Sequence, residues 1–147
     1  MVNKVREPRR LEALLAGLLL LSFFLPWLYS MGAPVAAHQI RERLAGPHRF
    51  ISAFSAGSRV TRDYHLSLCL YAIPVCAASI LFLIFIRRYR AWNGLLAGTV
   101  AAAAFIFLRD EVANFPFHRL ATGPYLALAS GLGLAVLPLF RLGSGKG

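Results

Sequence analysis

The sequence predicts an all-α membrane protein, a four-helix transmembrane bundle with a long first extracytoplasmic loop. Three observations lead there. Of the 147 residues, 58% are hydrophobic, against roughly 45–50% in soluble domains, and the mean hydropathy is +0.61. The apolar residues gather into four runs, each near the roughly 20 residues that an α-helix needs to cross the hydrocarbon core. The charged residues stand between those runs and not inside them. At this length the chain is a single domain, and four spans leave little for a separate soluble unit.

The first run extends over 11–29 behind a basic head of Lys4, Arg6, Arg9 and Arg10. Its apolar stretch is longer than the roughly 7 to 15 residues of a signal peptide, so it reads as a retained span. Pro26, Trp27 and Tyr29 would mark its outer interfacial end. Residues 30–65 form the first outer loop, in which Ala36 to Leu44 is expected as a short helix carrying His38, Arg41, Glu42 and Arg43. Phe50, Ile51 and Phe54 follow as an apolar patch suited to the membrane surface or to the bundle's end.

The second span, 66–86, carries no charge, and Pro74 near its middle predicts a kink that neighbouring helices accommodate. Arg87, Arg88, Tyr89 and Arg90 make a short basic connection to the third span, 91–108, which is rich in Ala and Gly. The second outer loop, 109–121, opens on Arg109, Asp110 and Glu111 and is punctuated by Phe115, Pro116 and Phe117. The fourth span, 122–140, holds Pro124 near its start and Pro138 near its end. Small-residue spacings predict close helix approach, because helices in lipid associate by contact more than by hydrophobicity. Gly94 and Gly98 form a GxxxG pair that Ala102 extends, and Ala13 with Gly17 and Ala127 with Gly131 supply weaker versions. Packing within the chain is the expected use.

The net charge is +10, from 16 Lys and Arg against 6 Asp and Glu. Nine of the basic residues fall in the head, the short second loop and the tail, and seven in the much longer outer loops, a density that predicts cytoplasmic termini. The preponderance of Arg over Lys hints at a GC-rich bacterial genome, and a bacterial inner membrane is the expected location. Basic residues beside apolar runs imply contact with anionic lipids and not with nucleic acid.

Function is less legible. None of the four runs carries an ionisable residue away from its ends; Glu12 stands at the very start of the first. Coupled transporters and proton relays usually place such groups at membrane depth. Ser22, Tyr71, Ser79, Thr99 and Ser130 complete the polar inventory and can bond to their own backbone. Cys69 and Cys76, seven residues apart in one run, are too distant along a helix for a disulfide. The histidines sit outside the spans; His65 and His118, with Asp110 or Glu111, are the candidates for a metal or haem site, although no fixed ligand spacing supports one. No cofactor is predicted, and no nucleophile, base or metal motif suggests an enzyme. The reading that follows is a non-catalytic accessory or assembly subunit that docks on other membrane subunits. Phe50, Phe54, Phe115 and Phe117 are its candidate partner contacts. The alternatives are a small-solute transporter or channel, hinged at Pro74 and Pro124, and a haem- or pigment-associated subunit.

Overall fold

A computed structural model describes residues 7–42, 67–114 and 118–144. The chain is mostly helical. Helix α1 spans Glu7–Ser22; strands β1 (Pro26–Ser30) and β2 (Ala33–Ala36) follow, and 37–42 is again helical. A 3-10 segment, Ser67–Tyr71, leads into α2, Ala72–Phe85. Helix α3 is Ala91–Asn114, strand β3 is His118–Leu120, and α4 is Thr122–Ser144. Helices α3 and α4 make the most extensive contact; α1 lies between α4 and α2, and α2 closes the ring against α3.

Three of these segments, Ser67–Phe85, Ala91–Asp110 and Thr122–Phe140, are long and apolar enough to cross a membrane. Their surfaces agree with that composition. Val75, Phe82 and Phe85 on α2, Leu96 and Ile106 on α3, and Leu132, Leu139 and Phe140 on α4 all point away from the protein interior. Soluble monomers rarely expose large apolar side chains in such number on every helix; in hydrocarbon they carry no penalty. The hydroxyls within the helices turn back onto their own backbone, Thr99 donating to the Leu95 carbonyl at 2.9 Å and Ser130 to that of Leu126 at 2.6 Å. Such bonds hide a polar group where no water can satisfy it.

The first apolar run departs from expectation. It is helical only to Ser22, and Pro26–Ser30, expected as the last turn of a span, is a β-strand. The cause is local. Pro26 disfavours a helical conformation at Leu25, and the chain tightens through bonds from Phe23 N–H to the Leu20 carbonyl and from Phe24 N–H to that of Leu21 before leaving the helix. At about 1.5 Å per residue, the 16 residues of α1 reach short of the roughly 30 Å hydrocarbon thickness.

The strand that follows also corrects the all-α expectation. β1 is the centre of a three-stranded antiparallel sheet of order β2-β1-β3. Its hairpin with β2 pairs Leu28 with Val35 and Ser30 with Ala33, turning through Met31 and Gly32 at φ 51° and 82°. Positive φ at both central residues is the type I′ geometry that matches strand twist. On the other side Leu28 faces Leu120 and Ser30 faces His118, so the sheet ties the segment after α1 to the segment before α4.

Two further expectations change. Pro74 sits in the first turn of α2, after the 3-10 segment, where its missing N–H breaks no helical bond. Trp27 is no interfacial anchor: it is fully buried, and its indole N–H donates to the Ser22 carbonyl. A Cβ at Gly123 would run into the indole ring and stand 2.7 Å from the Pro26 carbonyl oxygen, so the start of α4 needs a glycine beneath the ring.

Candidate functional site

The helices bring the expected small residues to different fates. Gly94 and Gly98 face α4, where a Cβ on Gly98 would stand 2.8 Å from the Ala135 Cβ and 3.0 Å from the Gly131 carbonyl oxygen. Gly131 meets α3 in return, its added Cβ 2.6 Å from the Ala101 Cβ, and a Cβ on Gly94 would collide with the Leu134 carbonyl. Pro138, buried within α4, has no N–H to give that Leu134 carbonyl, which lies open on the Gly94 side. The buried stripe of α3 runs through Ala97, Ala101, Ala104 and Leu108, and Ala102 lies only partly buried beside it. Ala127 is buried, Ala13 is half-buried, and an added Cβ on Gly17 would meet nothing within 4 Å. α1 buries a face of mixed size instead: Glu12, Ala16, Leu19 and Ser22 recur at three- and four-residue steps, all buried.

Glu12, which the sequence places at the very start of the first apolar run, is 1% exposed. Nothing local announces this, because burial comes from the helices laid against α1.

At the sheet end, His38 lies against an aromatic group. Its ring is 6.1 Å from Phe23 and 6.4 Å from Phe24, and Phe23 meets Tyr71 edge-on at 5.5 Å. The Tyr71 hydroxyl donates to the His38 carbonyl at 3.0 Å, which fastens 37–42 onto the start of α2. The His38 Nδ1 is buried without a hydrogen-bond partner among the described residues. Of the histidines singled out from sequence, His65 lies outside the described residues, while the backbone of His118 opens β3 opposite Ser30. Asp110 is exposed near the end of α3, and Glu111 continues that helix. Among the described residues no three His, Cys, Asp or Glu side chains come together as a metal site. Phe50, Phe54, Phe115 and Phe117 lie outside the described residues.

The opposite end of the molecule is basic. Between α2 and α3 an open cavity of about 530 Å³ is lined by Leu83, Arg87, Arg88, Tyr89, Arg90 and Asn93. Helix α2 ends there in a left-handed cap: Arg88 N–H donates to the Leu83 carbonyl at 2.8 Å and Arg87 N–H to that of Ile84 at 3.1 Å. Arg87 itself holds φ 58°, at a position where glycine is the usual occupant.

Comparisons of the chain with protein-family models, with curated proteins and with solved structures find no match. The functional reading therefore rests on this chain's own residues.

Proposed function

We propose that the chain is a non-catalytic integral membrane protein, crossing the bilayer four times with both termini cytoplasmic, that docks as an accessory or assembly subunit against a larger membrane complex of a bacterial inner membrane. The observation that carries the docking is the open flank of α2. Only 22% of its spanning window is buried, against 39% for α4, and the exposed remainder includes the aromatic side chains Phe82 and Phe85. Packing surface in lipid is what one helix offers another. The sheet supports the same reading, since β2 and β3 are its edges among the described residues and a sheet edge can accept a further strand. Those edges also need water or protein, so the sheet would lie at the bilayer surface, and α1, shorter than the hydrocarbon core, would make the fourth crossing where the bilayer thins around it. The outward-facing Leu14 and Leu21 of α1, and Phe24 just after it, suit lipid. Gentle extraction from native membranes tests the docking. A stoichiometric membrane partner that leaves when Phe82 and Phe85 are replaced by alanine is expected; a monodisperse chain with no companion would overturn it. Reporter fusions to each terminus test the orientation.

A second reading, transport of a small solute, draws on Glu12. A carboxylate 1% exposed among the bundle helices is the kind of group that transporters keep at depth. Solute flux in reconstituted vesicles that Glu12→Gln abolishes would favour it over docking.

A further inference from the structure

We propose that the cavity at the α2–α3 connection is a binding site for the phosphate headgroup of one anionic phospholipid. Arg87, Arg88 and Arg90 line an open space of about 530 Å³ together with Leu83, Tyr89 and Asn93, and no acidic residue is among the lining. That volume is within the roughly 300–1,000 Å³ of small-molecule sites. Arginine presents paired N–H donors whose spacing matches two phosphate oxygens, so several around one cavity favour a phosphate over a simple halide.

Depth supplies the second half of the ligand. The apolar stretch of α2 ends at Phe85 and that of α3 begins at Ala91, which sets the cavity where hydrocarbon gives way to headgroups. Phe85 and Trp92 flank it, 84% and 78% exposed. Large exposed aromatic groups at that level suit acyl chains and glycerol backbones. A molecule with a phosphate between the arginines and apolar tails along Phe85 and Trp92 satisfies both parts of the site; free phosphate satisfies only one.

The backbone points the same way. Arg87 occupies a left-handed cap position that glycine would fill without strain. Strained backbone of this kind clusters at functional sites, and here it falls on a residue that lines the cavity.

The inference rests on the membrane reading of α2 and α3. Its test is lipid retention by the full chain, extracted from vesicles of phosphatidylcholine and phosphatidylglycerol and followed by native mass spectrometry. One retained phosphatidylglycerol per chain is expected. Each basic residue near an anionic surface contributes about a fivefold preference, so Arg87→Gln, Arg88→Gln and Arg90→Gln together should lower retention by roughly a hundredfold. Replacing the same three with lysine keeps charge and topology but removes the paired donors, and should lower it by about tenfold. Arg109→Gln with Arg119→Gln, both exposed at the other end, should change nothing. Native-like retention by the lysine variant would overturn the proposal in favour of diffuse attraction. Equal loss in the Arg109 and Arg119 variant would overturn it too, and so would displacement of the lipid by inorganic phosphate. Failure of the membrane reading has a different signature, a chain that stays dispersed in buffer without detergent.

Discussion

Gly131→Ala and Gly17→Ala are the same chemical change on two helices, and the structure assigns them opposite signs. At Gly131 the new Cβ would stand 2.6 Å from the Ala101 Cβ and 3.2 Å from the Ala97 carbonyl oxygen. Carbon atoms sit comfortably at about 3.5–4.0 Å, so α3 and α4 would have to separate there by about 1 Å. Neither obstacle can rotate away, one being a methyl fixed to its backbone and the other the backbone itself. Opening a close-packed seam by that amount forfeits a quarter to a half of each contact's dispersion energy along it, and overpacking of this kind costs about 1–3 kcal/mol. Against it stands the gain of about 0.8–1 kcal/mol for alanine over glycine in a helix. The net expectation is destabilisation by up to about 2 kcal/mol. At Gly17 no atom stands within 4 Å of the new Cβ, so only the gain remains and the variant should be more stable by up to about 1 kcal/mol. Reversible unfolding in mixed micelles, followed by far-ultraviolet circular dichroism, measures both. Equal stabilisation of the two variants would refute the close α3–α4 contact.

Trp27→Ala removes a fully buried indole and its bond to the Ser22 carbonyl; a loss of about 3–5 kcal/mol should appear in the same unfolding assay. Gly123→Ala drives a methyl into that indole and should destabilise by about 1–3 kcal/mol, with a changed near-ultraviolet tryptophan signal. Met31→Asn places a left-handed-tolerant residue at the hairpin turn, φ 51°, and should raise the melting temperature slightly, whereas Met31→Val should lower it. Arg87→Gly relieves the cap of α2 and should stabilise the fold by about 1 kcal/mol while weakening lipid retention, a pairing of effects that a purely structural arginine would not give.

The helices that face hydrocarbon were the most legible part of the chain. The second run was read as 66–86 and is helical over Ser67–Phe85, because a charge-free stretch that long has few other uses. The third and fourth were read to 108 and 140, but their helices continue to Asn114 and Ser144. Arg109, Asp110 and Arg141 end the apolar stretch and not the helix, so hydropathy marked the edge of the apolar stretch rather than the edge of the helix. The strand at Pro26–Ser30 was hidden for a different reason. A short apolar run reads alike as helix or strand, and its pairing with Leu120 spans most of the sequence.

The candidate sites were less legible because they depend on neighbours. Small-residue pairs look alike in one dimension, yet Gly131 touches α3 while Gly17 touches nothing nearby. Glu12 read only as the start of an apolar run and is buried by helices distant in sequence. The arginines of the α2–α3 connection were visible as charge; what the sequence withheld was that they surround a cavity.

The account depends most on the outward faces of α2, α3 and α4 meeting lipid. Spin labels placed by Val75→Cys, Ile106→Cys and Leu132→Cys in a background lacking Cys69 and Cys76, with the chain reconstituted into bilayers, report this through their collisions with dissolved oxygen and with a water-soluble nickel chelate. Oxygen should relax all three labels and the chelate should leave them untouched, while a label at Arg88 shows the reverse. Labels at Val75, Ile106 and Leu132 that the nickel chelate reaches as readily as it reaches Arg88 would contradict the membrane-spanning assignment.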